Sequence, residues 1–322
     1  MNTLANETER EVFVTVPVYN HAAYIEKCLR SIIEQTYQPI KLLVIDDGST
    51  DGTAEVVARV LQDCPFDAEM ISRENRGLCA TLNQAVSLSS GKYFAYVGSD
   101  DFWLPEFLAA RVAMMNKRDE AVICYGHAYL IDDKDEVFDS TANYTSSWGN
   151  YPDGNAREML LNGISPISST VFYRRSALEK VSWNEASRLE DYELYLQMAQ
   201  IGDFAFDPQI LSVWREHGHN TSKDLQMMVT EVLAAQERNA AALGVNAAEL
   251  AEIQTRTKFK YAEEFLQHGD KGTAIGLAKS NWRGAGSPSQ LAKFMLRMMT
   301  PMSVVHARRS LKKSGVKPDG ND

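Results

Sequence analysis

Hydrophobic and polar positions follow two different periods in the first third of the chain. Short apolar runs predict strands, and apolar residues spaced three or four apart predict amphipathic helices. The predicted strands are residues 11–18, 40–45, 68–72, 93–97 and 121–129, and the predicted helices are 23–35, 53–61, 78–88 and 105–116. Alternation of this kind predicts an α/β fold with a mainly parallel central sheet and right-handed crossovers.

The remainder of the chain has a different pattern. Residues 132–217 are irregular, and within them we predict a strand edge at 165–173, a helix at 191–201 and a strand at 210–214. From residue 221 helical spacing dominates, with Ala-rich helices predicted at 229–243 and 247–266 and a helix-turn-helix pair at 258–279. We therefore predict two domains, a catalytic α/β domain at 1–220 and a helical C-terminal region with a basic tail at 221–322.

Composition and charge narrow the function classes. The chain has 322 residues, 44% of them hydrophobic, and a formal net charge of −10, so nucleic-acid binding has no general electrostatic support. Ten of the 33 basic residues and none of the 43 acidic residues lie between Lys271 and Lys317. The rest of the chain therefore carries a formal net charge of about −20. The polar N-terminus lacks the apolar run of a signal peptide, no stretch approaches a membrane span, and the four cysteines form no Cys-x-x-Cys pair. These features predict a cytoplasmic protein.

Polar clusters follow four of the predicted strands. They are Tyr19-Asn20, Asp46-Asp47, residues 73–77 and residues 99–101. Because the loops after the carboxyl ends of parallel strands build the ligand crevice, we expect all four clusters to lie on one rim.

The acidic residues of these clusters have two interpretations from residue chemistry alone. Asp100 and Asp101 follow a buried strand and suit a divalent cation, yet Asp101 could equally cap the helix that begins near Pro105. Asp46-Asp47-Gly48-Ser49 could likewise form only a turn and a helix cap.

Together with other segments of the chain, these polar clusters form an ordered series of motifs. The segments are V-P-V-Y-N at 16–20, D-D-G-S-T-D-G-T at 46–53, N-R-G-L at 75–78 with Asn83, G-S-D-D-F-W-L-P at 98–105, S-S-T-V-F-Y-R-R at 168–175, L-E-D-Y-E-L at 189–194 and W-R-E-H at 214–217. This series resembles the family 2 glycosyltransferases of the GT-A fold. The resemblance covers about residues 11–222, and the D-D-G-S-T-D-G-T match is its most specific part.

The resemblance implies a nucleotide-sugar donor, with uracil as the typical base. It places Pro17, Tyr19 and Asn20 in the nucleotide pocket, with Tyr19 against the base. Asp47 would accept a hydrogen bond from the base, and Arg76 would lie beside the base or the diphosphate.

The resemblance also implies a cation, Mn²⁺ or Mg²⁺, that binds the diphosphate. Asp100 matches the final Asp of the family's Asp-x-Asp motif and is the first choice of ligand. Gly98 stands where the family usually has the first Asp, so Asp101 would compensate. In the segment that follows the last predicted strand, His217 would be a further metal ligand and Arg215 would contact phosphate oxygens. A lone His is otherwise an ordinary surface or core residue, and the other histidines are given no role.

Asp191 matches the family's general base. A carboxylate there would take the proton of an acceptor hydroxyl as it attacks the anomeric carbon, and a single in-line displacement inverts that centre. The alternative is that Glu190 and Asp191 are only the acidic residues that a helix N-terminus favours. Trp103 and Trp148 could stack on a sugar acceptor, although each alone is more often a core residue.

The expected activity is transfer of a sugar, from a UDP-sugar, to a saccharide or lipid-linked acceptor in surface polysaccharide or lipopolysaccharide synthesis. The apolar and basic segments 291–299 and 304–311 fit either peripheral contact with the inner face of the cell membrane or a helix packed on the protein. A sugar nucleotidyltransferase would need a Gly-rich basic phosphate loop, which residues 17–21 do not provide. The second function considered is a non-catalytic nucleotide-sugar-binding or assembly protein, which Gly98 favours and the set Asp47, Asp100 and Asp191 disfavours.

Overall fold

The N-terminal part of the chain forms four parallel strands joined by helices. The structure is a computed structural model that describes residues 11–144, 151–218 and 220–300. The first elements are β1 (Val12–Val18), α1 (Ile25–Ile33), β2 (Ile40–Asp46), α2 (Thr53–Leu61), β3 (Ala68–Ser72), α3 (Leu78–Leu88) and β4 (Tyr93–Tyr96). The strands are arranged in the order β3-β2-β1-β4, and each neighbouring pair is parallel. This confirms the parallel sheet predicted from the alternation of strands and helices.

Strands β1 and β4 consist of continuous runs of apolar residues because both of their faces are buried. Every residue of β1 is buried, as is every residue of β4, because helices cover both faces of a parallel sheet. Thr15 is the polar exception in β1, and its hydroxyl donates to the carbonyl of Leu43 at 2.9 Å. The core therefore holds the strands rigidly and leaves their carboxyl ends to carry the polar loops.

The next part of the chain extends the sheet with mixed pairing. Its elements are β5 (Phe102–Trp103), α4 (Phe107–Met115), β6 (Ala121–Ile131), β7 (Val137–Ser140), α5 (Arg157–Leu161), β8 (Phe172–Arg174), α6 (Arg175–Leu178), α7 (Glu190–Met198) and β9 (Asp203–Arg215). Strand β8 lies between β4 and β6 and is antiparallel to both, whereas β6 and β9 are parallel. Strand β5 pairs antiparallel with β9, and β7 pairs antiparallel with β6. Within the described residues this gives a nine-stranded sheet that matches the predicted fold class.

Two predicted strands have other bounds in the structure. Residues 165–173 do not form one strand edge, because Ser168–Thr170 is a 3-10 turn and only the following Phe172–Arg174 pairs in the sheet. The strand predicted at 210–214 starts seven residues earlier, at Asp203, because the exposed Pro208 and Gln209 interrupt the apolar run by which the strand was predicted. The residues before Ile210 provide five of the ten residue pairs with β6.

The C-terminal helices form a second unit. Contacts divide the chain into residues 1–157 with 164–216 and residues 158–163 with 217–322, and the predicted boundary at residue 220 stays a prediction. The helices of the second unit are α8 (Leu225–Asn239), α9 (Ala247–His268), α10 (Lys271–Asn281) and α11 (Pro288–Met299). Gln236 of α8 donates to the Thr257 hydroxyl of α9 at 2.9 Å.

Turn chemistry sets the ends of these helices. Gly269 has φ 96° at the end of α9, a conformation that glycine adopts without strain, and Asp270 then caps the first turn of α10 by accepting from the Thr273 amide. This confirms the helix-turn-helix pair predicted at 258–279. In the described part of the chain no helix is both long enough and apolar enough to cross a membrane. The predicted segment 304–311 lies outside the described residues.

Candidate active site

The polar loops after β1, β2, β3 and β4 meet on one rim, as predicted. Asn20 after β1 donates its amide N–H to the Ser49 hydroxyl at 2.9 Å and accepts from the Thr50 amide at 2.8 Å. His21 lies 2.7 Å from the hydroxyl of Ser99 after β4. Hydrogen bonds between loops that are about 30 to 80 residues apart in sequence therefore build one continuous surface.

Asp47 organises the loop that follows β3. Its carboxylate accepts from the amides of Arg76, at 3.0 Å, and Gly77, at 2.7 Å, and it forms an ion pair with Arg73. Gly77 has φ 88°, so the loop uses a conformation that a residue with a side chain would adopt only under strain. A carboxylate has about four acceptor positions, and three are used here. Asp47 is buried, and by this count one of its acceptor positions is unused.

The other residues predicted for the nucleotide pocket differ in exposure. Tyr19 is half exposed, and Arg76 is exposed on the same rim. Asn20 adopts φ 54°, and its side chain serves the loop after β2. Pro17 is buried inside β1, opposite Ile45. Tyr19 and Arg76 thus have the accessible surface that contact with a nucleotide needs, and the roles of all four stay predictions.

A group of potential metal ligands lies beside this rim. Ligand atoms of His21, Asp100 and His217 all lie within 4.8 Å of one another. His217 stands two residues beyond the end of β9, and Asp100 follows β4. Two imidazoles and one carboxylate form a donor set that suits a first-row transition metal, and the hydrogen bond between His21 and Ser99 orients one of the rings. These residues can therefore hold a divalent cation at the rim.

Gly98 gives the Asp100 carboxylate its space. A Cβ atom at position 98 would lie 2.9 Å from Oδ1 of Asp100, closer than real Cβ contacts allow, and 3.6 Å from Oδ2 of Asp101. Gly98 stands at the position where the Asp-x-Asp motif usually has its first Asp. In this chain the departure has a physical consequence, since any side chain at residue 98 would displace the carboxylate of Asp100.

Asp101 is directed toward the protein interior. It is buried, and its Oδ1 accepts the amide N–H of Arg215 at 2.8 Å. Burial and the neighbouring Asp100 carboxylate raise the pKa of Asp101 well above its usual range. The predicted metal contact of Asp101 stays a prediction, and the contacts observed are those of a residue that joins the rim to β9.

Arg215 forms a buried clamp behind the metal-ligand group. Its side chain is 3% exposed, its Nε donates to the carbonyl of Asp100 at 3.0 Å, and its Nη1 donates to the carbonyl of Asp132 at 2.9 Å. Nη2 forms an ion pair with Asp135 in the turn between β6 and β7. Asp135 also pairs with Lys27 of α1 at 2.9 Å. Arg215 was predicted to contact phosphate, which stays a prediction, whereas its contacts place it as a support for Asp100.

Glu190 and Asp191 begin α7, as the helix pattern indicated. Both side chains are partly exposed, and α7 starts with three acidic residues in its first turn. Burial, and then the charge of Glu190, raises the pKa of Asp191 well above its usual range. The charge of Asp191 in turn contributes to the raised pKa of the buried Tyr173 and Tyr195. Asp191 therefore combines access to solvent with a proton affinity higher than that of an ordinary carboxylate.

The two tryptophans considered for acceptor stacking have different outcomes. Trp103 is buried, stacks on Phe107 at 4.2 Å between ring centroids and donates its Nε1 to the carbonyl of Ser169 at 2.7 Å. It is therefore a core residue, which was the alternative interpretation. Trp148 lies outside the described residues.

Sequence patterns did not identify three residues of the site. His21 was given no role, although it follows β1 just as Asp100 follows β4, and β1 and β4 are neighbours. Arg73 was placed on the rim as part of the cluster 73–77 but was given no role, and Asp135 had no signal, because its partner Arg215 is distant in sequence. Only the order of the strands would have indicated these pairs.

Known proteins match this chain in sequence. The profile of the family described as "Glycosyl transferase family 2" matches residues 13–182, which is more than half of the chain. An uncharacterized glycosyltransferase of Rickettsia felis is 29% identical over 224 residues, covering 66% of this chain and 35% of that protein. The chain spans about a third to a half of the length of such curated relatives. Asp191, Arg215 and His217 lie beyond the stretch that the profile matches.

Solved structures share the fold. TarS 1–349 of S. aureus in complex with UDP-GlcNAc has a TM-score of 0.62 at 16% identity, covering 94% of this chain and 88% of that chain. The mannosyltransferase PcManGT of Pyrobaculum calidifontis in complex with GDP-Man and Mn²⁺ has a TM-score of 0.62 at 18% identity, covering 95% of this chain and 87% of that chain. At these identities the likeness concerns the GT-A fold alone.

Proposed function

The chain belongs to glycosyl transferase family 2, and we propose that it is an inverting, metal-dependent glycosyltransferase that uses a nucleotide-sugar. The observation that carries the proposal is the meeting of Asp47 and Asp100 on one rim with His21 and His217. One carboxylate is left with an acceptor position for a base, and the other lies among ligands for a cation. A nucleoside diphosphate needs both functions at once.

We propose UDP as the nucleotide because Asp47 can accept from the imide of uracil. Tyr19 would lie against the base, with Pro17 and Asn20 shaping the pocket, and Arg76 would lie beside the base or the diphosphate. TarS, bound to UDP-GlcNAc, supports a uridine donor, whereas PcManGT, bound to GDP-Man, is the precedent against it. The sugar itself stays open.

We propose Mn²⁺ over Mg²⁺ as the cation, held by Asp100, His21 and His217. Imidazole nitrogen suits transition metals better than Mg²⁺, which prefers oxygen. When bound, the cation neutralises the charge that develops on the departing diphosphate. Asp101 and Arg215 would support the ligands from behind, and the earlier expectations of a metal contact for Asp101 and a phosphate contact for Arg215 stay predictions.

Asp191 would act as the general base. As the acceptor hydroxyl oxygen bonds to the anomeric carbon, the bond from that carbon to the diphosphate breaks on the opposite side, and the hydroxyl proton passes to Asp191. The raised pKa of Asp191 suits this role, because a stronger base takes the proton more readily.

The acceptor would be a saccharide or lipid-linked hydroxyl in surface polysaccharide or lipopolysaccharide synthesis, reached at the cytoplasmic face of the membrane. Donor hydrolysis tests the catalytic proposal without knowledge of that acceptor. We expect UDP release from a panel of UDP-sugars in the presence of Mn²⁺, and its loss in Asp100→Asn and Asp191→Asn. Ser87→Ala, which changes an exposed helix position, is the matched control and should retain activity.

The alternative is a non-catalytic protein that binds nucleotide-sugars on the same fold. It predicts Mn²⁺-dependent stabilisation by UDP-sugars in thermal unfolding but no UDP release from any donor. Stabilisation by a GDP-sugar and not by UDP-sugars would overturn the choice of base and leave the family assignment intact.

A further inference from the structure

Helix α11 carries an exposed apolar stripe. On its buried side Phe294 belongs to the core of the second unit, and its ring is tilted against that of Phe259 with 5.3 Å between the ring centroids. Met295, Leu296 and Met299 are 59%, 67% and 84% exposed. Their spacing of three and four residues places them on one side of the helix, distinct from the side of Phe294. Three large apolar side chains in one stripe mark an interaction surface.

Basic residues border this stripe. Lys293 and Arg297 are exposed and lie four residues apart, on the side of Leu296 away from Met295. Between residues 271 and 300 the chain has five basic residues and no acidic residue. Glu263 of the neighbouring helix α9 accepts from the side-chain amide of Gln290 at the first turn of α11. The stripe therefore has a positive border along most of its length.

A second exposed edge has the same composition. Ile275 of α10 and Trp282, just beyond it, are 48% and 53% exposed, and Lys279 lies between them at helical spacing. The ammonium group of Lys271 donates to the carbonyls of Met298 and Thr300, both at 2.8 Å. These hydrogen bonds join the start of α10 to the end of α11.

We propose that this face, Ile275, Trp282, Met295, Leu296 and Met299 with its basic border, docks on an anionic lipid surface. The apolar side chains would enter the acyl boundary while Lys293 and Arg297 contact the headgroups, and a tryptophan suits the interface between the two. A second copy of the chain would bring like charges together, which disfavours a dimer. The proposal goes beyond the proposed enzymatic activity and does not depend on it.

Vesicle binding of the full chain tests the proposal. We expect co-sedimentation with phosphatidylglycerol-containing vesicles, weakened by salt, and little with phosphatidylcholine alone. Leu296→Gln with Met299→Gln should weaken binding more than tenfold. Lys293→Gln or Arg297→Gln should each weaken it about fivefold, the effect of one basic residue near such a surface. Leu88→Gln, at a comparably exposed leucine of α3, is the matched control and should bind as the wild type does.

Three results would overturn the proposal. The first is no binding of the wild type to phosphatidylglycerol vesicles. The second is undiminished binding of the Leu296→Gln, Met299→Gln variant, which would assign any binding to other parts of the chain. The third is a concentration-dependent dimer that the same variant abolishes, since the face would then be covered by a second copy. UDP release in solution separates all three from failure of the enzymatic proposal.

Discussion

Replacing Arg215 with lysine distinguishes a clamp behind Asp100 from a phosphate ligand. The guanidinium makes three directed contacts, to the carbonyls of Asp100 and Asp132 and to the carboxylate of Asp135. A lysine is a point charge on a flexible stem and can replace about one of them. Arg215→Lys therefore keeps the charge and loses two hydrogen bonds from a charged donor.

The size of the effect follows from burial. Hydrogen bonds to charged groups contribute about 1.5 to 3 kcal/mol each, and Arg215 is 3% exposed, so solvent compensates little. We expect Arg215→Lys to lower the free energy of unfolding by about 3 kcal/mol. For a domain of this size that corresponds to a decrease in Tm of about 6 to 12 °C.

Thermal and urea unfolding of the free protein, together with UDP titration in the presence of Mn²⁺, measure both roles. Arg59→Lys is the matched control, because Arg59 is exposed and its ion pair with Glu26 tolerates lysine; its Tm should not change. An unchanged Tm for Arg215→Lys, together with a large loss of UDP affinity, would refute the clamp and favour direct contact with phosphate.

Three further predictions concern other parts of the first unit. Gly98→Ala should weaken Mn²⁺ binding about tenfold, measured by calorimetry, because its Cβ would displace the Asp100 carboxylate; unchanged affinity would contradict this. Asp191 must be ionised to act as a base, so its raised pKa should move the acid limb of the pH profile of kcat to higher pH than an ordinary carboxylate gives. Glu190→Gln removes a charge that raises this pKa and should move the acid limb back to lower pH. An acid limb that Glu190→Gln leaves unchanged would count against Asp191 as the base. Asp207→Ala should lower unfolding stability by about 3 to 5 kcal/mol in urea, since it leaves the buried Arg111 unpaired; a loss below about 1 kcal/mol would show that the pair is not desolvated.

Much of the rim formed by the loops after β1 to β4 follows from local sequence patterns. Alternation of apolar runs with helical spacing fixes parallel strands, and parallel strands place their following loops at one edge. Asp47 and Asp100 were identified in this way because Asp47 directly follows β2 and Asp100 lies in the loop after β4. The bounds of α2 and α3 agree with the prediction since both helices have clear apolar spacing between turn residues.

The support behind the rim could not be predicted in the same way. Arg215 contacts Asp100 across 115 residues of sequence, through a strand pair whose order no local pattern reveals. β8 enters the sheet antiparallel between β4 and β6, which strict alternation of strands and helices does not indicate. His21 needed the same information, because its closeness to Ser99 depends on β1 and β4 being neighbours.

We propose that one rim binds a nucleoside diphosphate through Asp47 and, with a cation, through Asp100. Calorimetric titration of UDP into the protein with and without Mn²⁺ measures this binding. We expect binding at least tenfold tighter with Mn²⁺ in the wild type, and no such gain in Asp100→Asn. Equal UDP affinity with and without Mn²⁺, or a gain that persists in Asp100→Asn, would contradict it.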